Sequence, residues 1–305
     1  MSAILSEGKT KIIRRGERPG EVILETKDEL TGGDAAKRET ISGIAVWKTR
    51  QARNVFRLLQ SEGIETAYLR PGGDRALICS ECRMLPLELV TRRYAWGSIL
   101  NREPWIESTR EKPHRFAELR REVFHKNAVV MPPLVPQPVQ MDEGKARDQY
   151  LRDGKWAAGV YTDPLMRVAD DGRWMLYPAK GRLDQTPPLT ETEALLTPDE
   201  LSSLENDLMA PTFAAIERAW SRIQTASGPV ALVDLKMEVG RRVSDGRIVV
   251  ADVIDNDSWR IWPGGDPSKQ LDKQVFREGH PLAEVAENYQ LVAALTDQFV
   301  AGSES

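Results

Sequence analysis

Seven ionisable side chains crowd two short apolar stretches near the C-terminal end of the chain. Asp234, Lys236 and Glu238 alternate along Val230-ALVDLKMEVG, and Asp252, Asp255, Asp257 and Arg260 follow in Arg247-IVVADVIDNDSWRIWP. A strand that only had to be stable would not collect so much charge among Val, Ile, Leu and Met. Two carboxylates about 4 Å apart repel by roughly 4 kcal/mol at an effective dielectric near 20. A cation between them relieves that cost, so the pair of stretches reads as a metal and phosphate site; the plainer alternative is a solvated hairpin face balanced by Lys236. Register matters because a one-residue slip turns every side chain to the other face. A three-residue loop, Ser244-Asp245-Gly246 with Gly246 left-handed, sets Glu238 opposite Asp252 and is the expected arrangement.

Two further groups could meet an anionic ligand. Glu7-Gly8-Lys9-Thr10-Lys11 combines a glycine that permits close backbone approach with two alternating lysines, a surface suited to nucleotide phosphates. It lacks the glycine spacing of a P-loop. Arg92-Arg93-Tyr94-Ala95-Trp96-Gly97-Ser98 offers arginine forks for phosphate or carboxylate together with a hydroxyl. The only cysteines, Cys79 and Cys82, have no second pair to complete a zinc site; they read as reduced thiols at a strand end.

The elements that must position these groups follow from pattern. Ile4-LSEGKTKII and Glu21-VILET predict two strands around a turn. Val55, Phe56, Leu58 and Leu59 predict a helix over about 51–62, stopped by Gly63. Strands are expected at 65–70 and 76–78, and Met84-LPLELVTRRYA leaves this N-terminal part. The stretch 105–190, rich in proline and charge, predicts loops, short strands and one helix. Thr197-Pro198-Asp199-Glu200 is a capping box with proline at the first helical position. The apolar stripe Leu201, Leu204, Leu208, Phe213, Ile216, Trp220 then predicts a core helix kinked or split near Pro211. A final amphipathic helix is expected over 281–300.

With 305 residues, 41% hydrophobic and 29% charged, the composition is that of an ordinary globular protein of one large or two modest domains. A net charge of −4 gives no general attraction to nucleic acid or anionic membrane. No apolar run approaches a membrane span, and the beginning lacks a signal-peptide pattern, so a cytoplasmic protein is expected. The arginines and the carboxylate hairpin together suggest a small phosphorylated, anionic substrate beside a metal-bound nucleotide, and a homo-oligomer is allowed.

Taken together, Glu7-GKTK, Gly63-IETA, Met84-LPLE, Arg92-RYAWGS, Leu232-VDLKMEVG, Val250-ADVIDNDSWRIWP and Asp272-KQVFRE resemble the SAICAR synthetase family, in particular the form within the animal bifunctional purine enzyme. The resemblance implies an α+β fold, with an N-terminal antiparallel-sheet lobe over 1–90, a larger α/β lobe over 91–305 and an ATP site between them; residues 105–190 diverge. It implies ATP-dependent ligation with Mg²⁺: a ribotide carboxylate is phosphorylated by ATP, and the amine of aspartate displaces phosphate. By the same resemblance Gly8, Lys9 and Lys11 hold ATP phosphates, and Met84 to Glu88 line the adenine. Glu238 and Asp252 bind the metal, Asp234 and Lys236 are the catalytic pair, and Arg92, Ser98, Arg260 and Lys273 hold the ribotide. The chain departs from the family at Ile44, where a lysine is usual, at Thr49 in place of asparagine, and at Asn101 in place of lysine. These departures keep open a paralogous ligase of a related ribotide or another amine, and a non-catalytic nucleotide-binding relative.

Overall fold

The computed structural model describes residues 3–32 and 37–300. The architecture is α+β, and the chain divides into two compact units, one of residues 1–84 with 210–305 and one of residues 85–209. The first unit begins with β1 (Ile4–Glu7), β2 (Lys11–Arg15) and β3 (Glu21–Thr26), followed by the hairpin β4 (Glu29–Gly32) and β5 (Lys37–Thr40). After α1 (Ile44–Ser61) come β6 (Tyr68–Gly73), β7 (Ala76–Ser80) and β8 (Cys82–Met84). A five-stranded antiparallel sheet runs β1-β2-β3-β7-β6.

The first expected strand is in fact a hairpin. The Gly8 amide donates to the Lys11 carbonyl at 2.9 Å, folding Gly8-Lys9-Thr10 into the turn between β1 and β2. Lys9 and Lys11 therefore do not share one strand face. Helix α1 starts about two turns earlier than its apolar run predicts. Ile44 and Trp47 pack with Leu30, Ile41, Val275, Phe276, Val285 and Tyr289, and that tertiary burial extends the helix. Its end is as expected, with Gly63 left-handed at φ 74°.

The second unit holds β9 (Leu87–Tyr94), α2 (Ile99–Arg102), β10 (Arg115–His125), β11 (Ala128–Val130), β12 (Val139–Met141) and α3 (Glu143–Tyr150). It continues with β13 (Leu151–Arg152), β14 (Lys155–Trp156), β15 (Val160–Thr162), β16 (Leu165–Val168), β17 (Trp174–Tyr177), β18 (Thr190–Thr192) and α4 (Pro198–Ser203). Its main sheet runs β18-β17-β16-β10-β9, all antiparallel. The region expected to be irregular thus contains an eleven-residue strand, β10. Its alternation is obscured because charged residues occupy much of both faces between Arg115 and Glu122. The capping box forms as read, with the Thr197 hydroxyl accepting from the Glu200 amide and the Glu200 carboxylate accepting from the Thr197 amide. A π-helical stretch, Leu204–Met209, precedes Pro211, and α5 (Ala210–Arg222) runs through the proline. Of the kink or split expected at the proline, the split does not occur: the helix continues, and the widened turn accommodates the missing amide.

Back in the first unit, β19 (Gln224–Thr225) leads into β20 (Gly228–Arg242), a fifteen-residue strand. It pairs with β21 (Ile248–Ala251) along its second half, with β22 (Trp259–Pro263) along its first half, and with β8 at its end. A Cβ at Gly240 would lie 2.9 Å from that of Cys82, so only glycine admits β8 there. Helix α5 packs on β20, its buried Trp220 edge-on to Trp259. The chain closes with α6 (Gln274–Arg277) and α7 (Leu282–Thr296), the latter against α1.

Candidate active site

The register of the charged hairpin differs from expectation by one residue. Glu238 lies opposite Ala251, because Val243 to Gly246 form a four-residue loop in which the Gly246 amide donates to the Arg242 carbonyl at 2.8 Å. Gly246 is left-handed as read. The longer loop lets Arg242 and Arg247 share the Glu65 carboxylate, while Asp245 also pairs with Arg247. Asp252 is not governed by the pleat at all. It follows the last residue of β21 with φ 55°, a conformation rare outside glycine but tolerated by aspartate.

That turn brings Asp252 to Lys11, whose ammonium is paired with Oδ1 of Asp252. Residues 241 positions apart, one from the glycine–lysine hairpin and one from the carboxylate loop, are thereby in contact. Lys9 is exposed in the β1–β2 turn, and Lys236 and Glu238 are half-buried on β20. Met84, 45% exposed, lies opposite Gly240. Asp234 is buried and ion-paired with Arg260, its cross-strand partner. Ten of the residues singled out from the sequence thus share one unit: Gly8, Lys9, Lys11, Met84, Asp234, Lys236, Glu238, Asp252, Arg260 and Lys273. Glu88, Arg92 and Ser98 belong to the other.

The loop after Asp252 is locked residue by residue. The Asp257 amide donates to Asp255 Oδ1 at 2.8 Å, and the Asn256 amide to Gln51 Oε1 of α1 at 2.8 Å. The Asn256 side chain donates to the Leu271 carbonyl and accepts from the Trp259 indole. Beneath lies a buried ionic group of which sequence reasoning missed Lys48 and Tyr289. Lys48 of α1, 1% exposed, places its ammonium 2.8 Å from Asp257 Oδ2 and 3.7 Å from Asp255 Oδ2. Lys273 reaches the same Asp257 oxygen at 3.0 Å, and the Tyr289 hydroxyl donates to Oδ1.

Two lysines and a phenol hold the Asp257 carboxyl well below the usual range despite its burial. Burial outweighs Lys48 at Asp255, whose carboxyl is pushed up. Lys48 stays charged because the surrounding carboxylates overcome desolvation, whereas burial depresses Lys273. Asp272, accepting from the Ile261 and Gln274 amides, is pushed up by burial to about 6. A signal for Lys48 did exist: it falls one helical turn after Ile44 on the stripe that continues through Ala52, Val55 and Leu59.

The departures at 44 and 49 are packing residues here. Ile44 is wholly buried in the apolar cluster, and Thr49 is buried with its hydroxyl 3.0 Å from that of Thr26. Asn101 is exposed. Cys79 and Cys82 are free, and burial raises both thiols, Cys79 to about 12, so neither is a nucleophile.

In the second unit the Arg92 side chain is 5% exposed, with Nε 2.6 Å from Glu122 Oε2 and one Nη 3.5 Å from the Ser98 hydroxyl. Arg102, wholly buried, takes the other oxygen of Glu122. The two guanidinium groups hold the Glu122 carboxyl down against a large desolvation.

The sequence model of SAICAR synthetase matches residues 4–163 and 187–295. The chain belongs to the SAICAR synthetase family. With that it belongs to the ATP-dependent carbon–nitrogen ligases. The phosphoribosylaminoimidazole-succinocarboxamide synthase of Chloroflexus aurantiacus is 35% identical over 306 residues, covering 98% of each chain. The human bifunctional phosphoribosylaminoimidazole carboxylase/phosphoribosylaminoimidazole succinocarboxamide synthetase is 32% identical over 95% of this chain and 57% of its own length, in line with the animal bifunctional form that the motifs suggest. Among solved structures, the Ehrlichia chaffeensis synthase superposes with a TM-score of 0.66 at 22% identity, covering 97% of this SAICAR synthetase family chain and 98% of the other. A Type-2 SAICAR synthetase in complex with ADP gives 0.66 at 23% identity, covering 97% of each. These two share the fold.

Among the described residues no three His, Cys, Asp or Glu side chains gather into a ready metal cage. Hard carboxylate oxygens at Asp252 and on neighbouring β20 at Glu238 fit Mg²⁺, which takes one or two carboxylates and completes its shell with water and phosphate oxygens.

Proposed function

We propose that this protein is a SAICAR synthetase of purine biosynthesis. It transfers the γ-phosphoryl group of ATP to the carboxylate of the aminoimidazole ribotide, and the amine of aspartate then displaces phosphate to form the amide. The observation that carries this reading is the Lys11–Asp252 contact, which joins the glycine–lysine hairpin to the carboxylate loop within one unit. ATP use is supported by family membership and by the ADP held in a solved relative.

In this reading the Gly8 turn with Lys9 and Lys11 receives the nucleotide phosphates; Met84 in the first unit and Glu88 in the second are each assigned to the base by the family pattern. Glu238 and Asp252 would hold Mg²⁺, which when bound neutralises charge on the transferring phosphoryl group. Lys11 leaves Asp252 for a phosphate oxygen, exchanging one anionic partner for another. Asp234 fixes Arg260, and Lys236 lies half-buried two residues further along β20, within the catalytic strand. For the anionic ribotide, Arg92 and Ser98 are the ligands the second unit offers, and Arg260 and Lys273 those the first unit offers. Lys48 and Tyr289 do not touch ligand; by fixing Asp257 they hold Lys273 and the loop that carries Asp252.

The burial of Ile44 and Thr49 as packing residues supports the family substrate over a paralogous one, while Asn101, the third departure, is exposed. The test is phosphate release from ATP and Mg²⁺ with the aminoimidazole carboxylate ribotide and aspartate. Aspartate-dependent turnover is expected. Turnover with a different amine or ribotide and none with this pair would refute the assignment.

A further inference from the structure

We propose that Arg102 is a positioning residue for Arg92, seated by the segment 164–186, which lies outside the stretches matched by the family. The proposal rests on the reading of Arg92 as a ligand for the anionic ribotide. Arg102 is 0% exposed, so it cannot itself meet substrate. It acts through Glu122, whose two oxygens are divided between the arginines: Oε2 takes Arg92 Nε at 2.6 Å, and Oε1 takes Arg102 Nη2. A carboxylate gripped at both oxygens cannot rotate, and the plane of the Arg92 fork is fixed with it.

Arg102 is in turn held by the unmatched segment at both ends. Its Nη1 donates to the Ala179 carbonyl, and its own carbonyl accepts from the Leu183 amide at 3.0 Å. The guanidinium lies 5.1 Å from the centre of the Phe124 ring. Tyr177, Ala179 and Leu183 pack on Val90, Phe124 and Leu165, and Phe124 also pairs with Leu165 across β10 and β16. The segment is therefore built into the wall behind Arg92. Through Arg102 and Glu122 it sets how firmly that fork is presented, which for an anionic substrate appears in KM.

The experiment measures KM for the aminoimidazole carboxylate ribotide and for ATP, with kcat, in R92A, R102K, L183A and the R102K/L183A double variant. Lysine keeps the charge beside Glu122, but its single head cannot bridge Glu122 and Ala179. R102K is expected to raise the ribotide KM about tenfold with ATP KM unchanged, and L183A about threefold. The double variant should fall short of their product, since both loosen one seat. If R92A raises the ribotide KM and R102K leaves it within twofold of the parent, the positioning role is overturned while the reading of Arg92 stands. If R92A itself leaves it unchanged, that reading falls and the proposal with it. Should R102K not fold, L183A decides: an unchanged ribotide KM overturns the proposal.

Discussion

The two units each bury a charged network, and they are built on opposite plans. In the first, three carboxylates along one loop meet three separate lysines: Asp252, Asp255 and Asp257 face Lys11, Lys48 and Lys273, with Tyr289 adding a neutral donor. In the second, one carboxylate, Glu122, is shared by two arginines. Lysine is a compact point charge on a flexible stem, able to exchange a carboxylate for a phosphate; arginine is a planar fork whose orientation carries the information. The first plan suits a site that handles a nucleotide and its cation, and the second suits a fixed grip on a substrate anion.

The comparison is most sharply tested at its buried ends. Replacing Lys48 by Met leaves Asp255 and Asp257 short of their cation in a closed space. A loss of about 3–5 kcal/mol in urea unfolding is expected; a loss below about 1 kcal/mol would mean that water reaches the group. Next in size, Asp252→Asn and Glu238→Gln should each lower ATP turnover by about 100-fold or more with the fold intact. Near-normal turnover in either would break the assignment of this loop to the cation. Arg92→Lys keeps the charge and loses the fork. About a tenfold rise in ribotide KM is expected at unchanged ATP KM, and an equal rise in both would erase the contrast between the units.

The smallest effect is a pH slope. The Asp272 carboxyl is raised in the folded state from 3.8 to about 6, so its favourable contribution is complete below about 3.8 and is lost as pH rises through 6. Asp255 acts in the same sense, and Asp257 and Glu122, held down, act oppositely and only at lower pH. Urea midpoints between pH 4 and 7 should show a shallower fall in Asp272→Asn than in the parent. An identical slope would exclude Asp272 as its source.

Much of the fold was legible because local chemistry announced it. The capping box at Thr197, the stop at Gly63, the left-handed Gly246 and the buried stripe of α5 all formed as read. Two of the failures have a common cause. The early start of α1 and the slip that set Glu238 opposite Ala251 were decided by partners far along the chain, the Leu30–Tyr289 cluster and the Glu65 ion pairs; the Gly8 turn is local, set by the pairing of β1 with β2. Strand β10 was hidden for a related reason, since its charges are satisfied across the sheet, as at Glu122, and leave little alternation to read.

By itself the sequence determined the family and its class of chemistry. The residue types at Lys9, Lys11, Asp234, Glu238, Asp252 and Arg260 suggest a metal and phosphate site, and the motifs around them resemble a family of ATP-dependent ligases, which the family match bears out. Only the tertiary structure decided which charges meet. Lys11 finds Asp252, Lys48 closes on Asp257, and Arg102 sits behind Glu122. Pairing energies in a buried space depend on distances of a few ångströms between residues remote in sequence, and no local pattern encodes those distances.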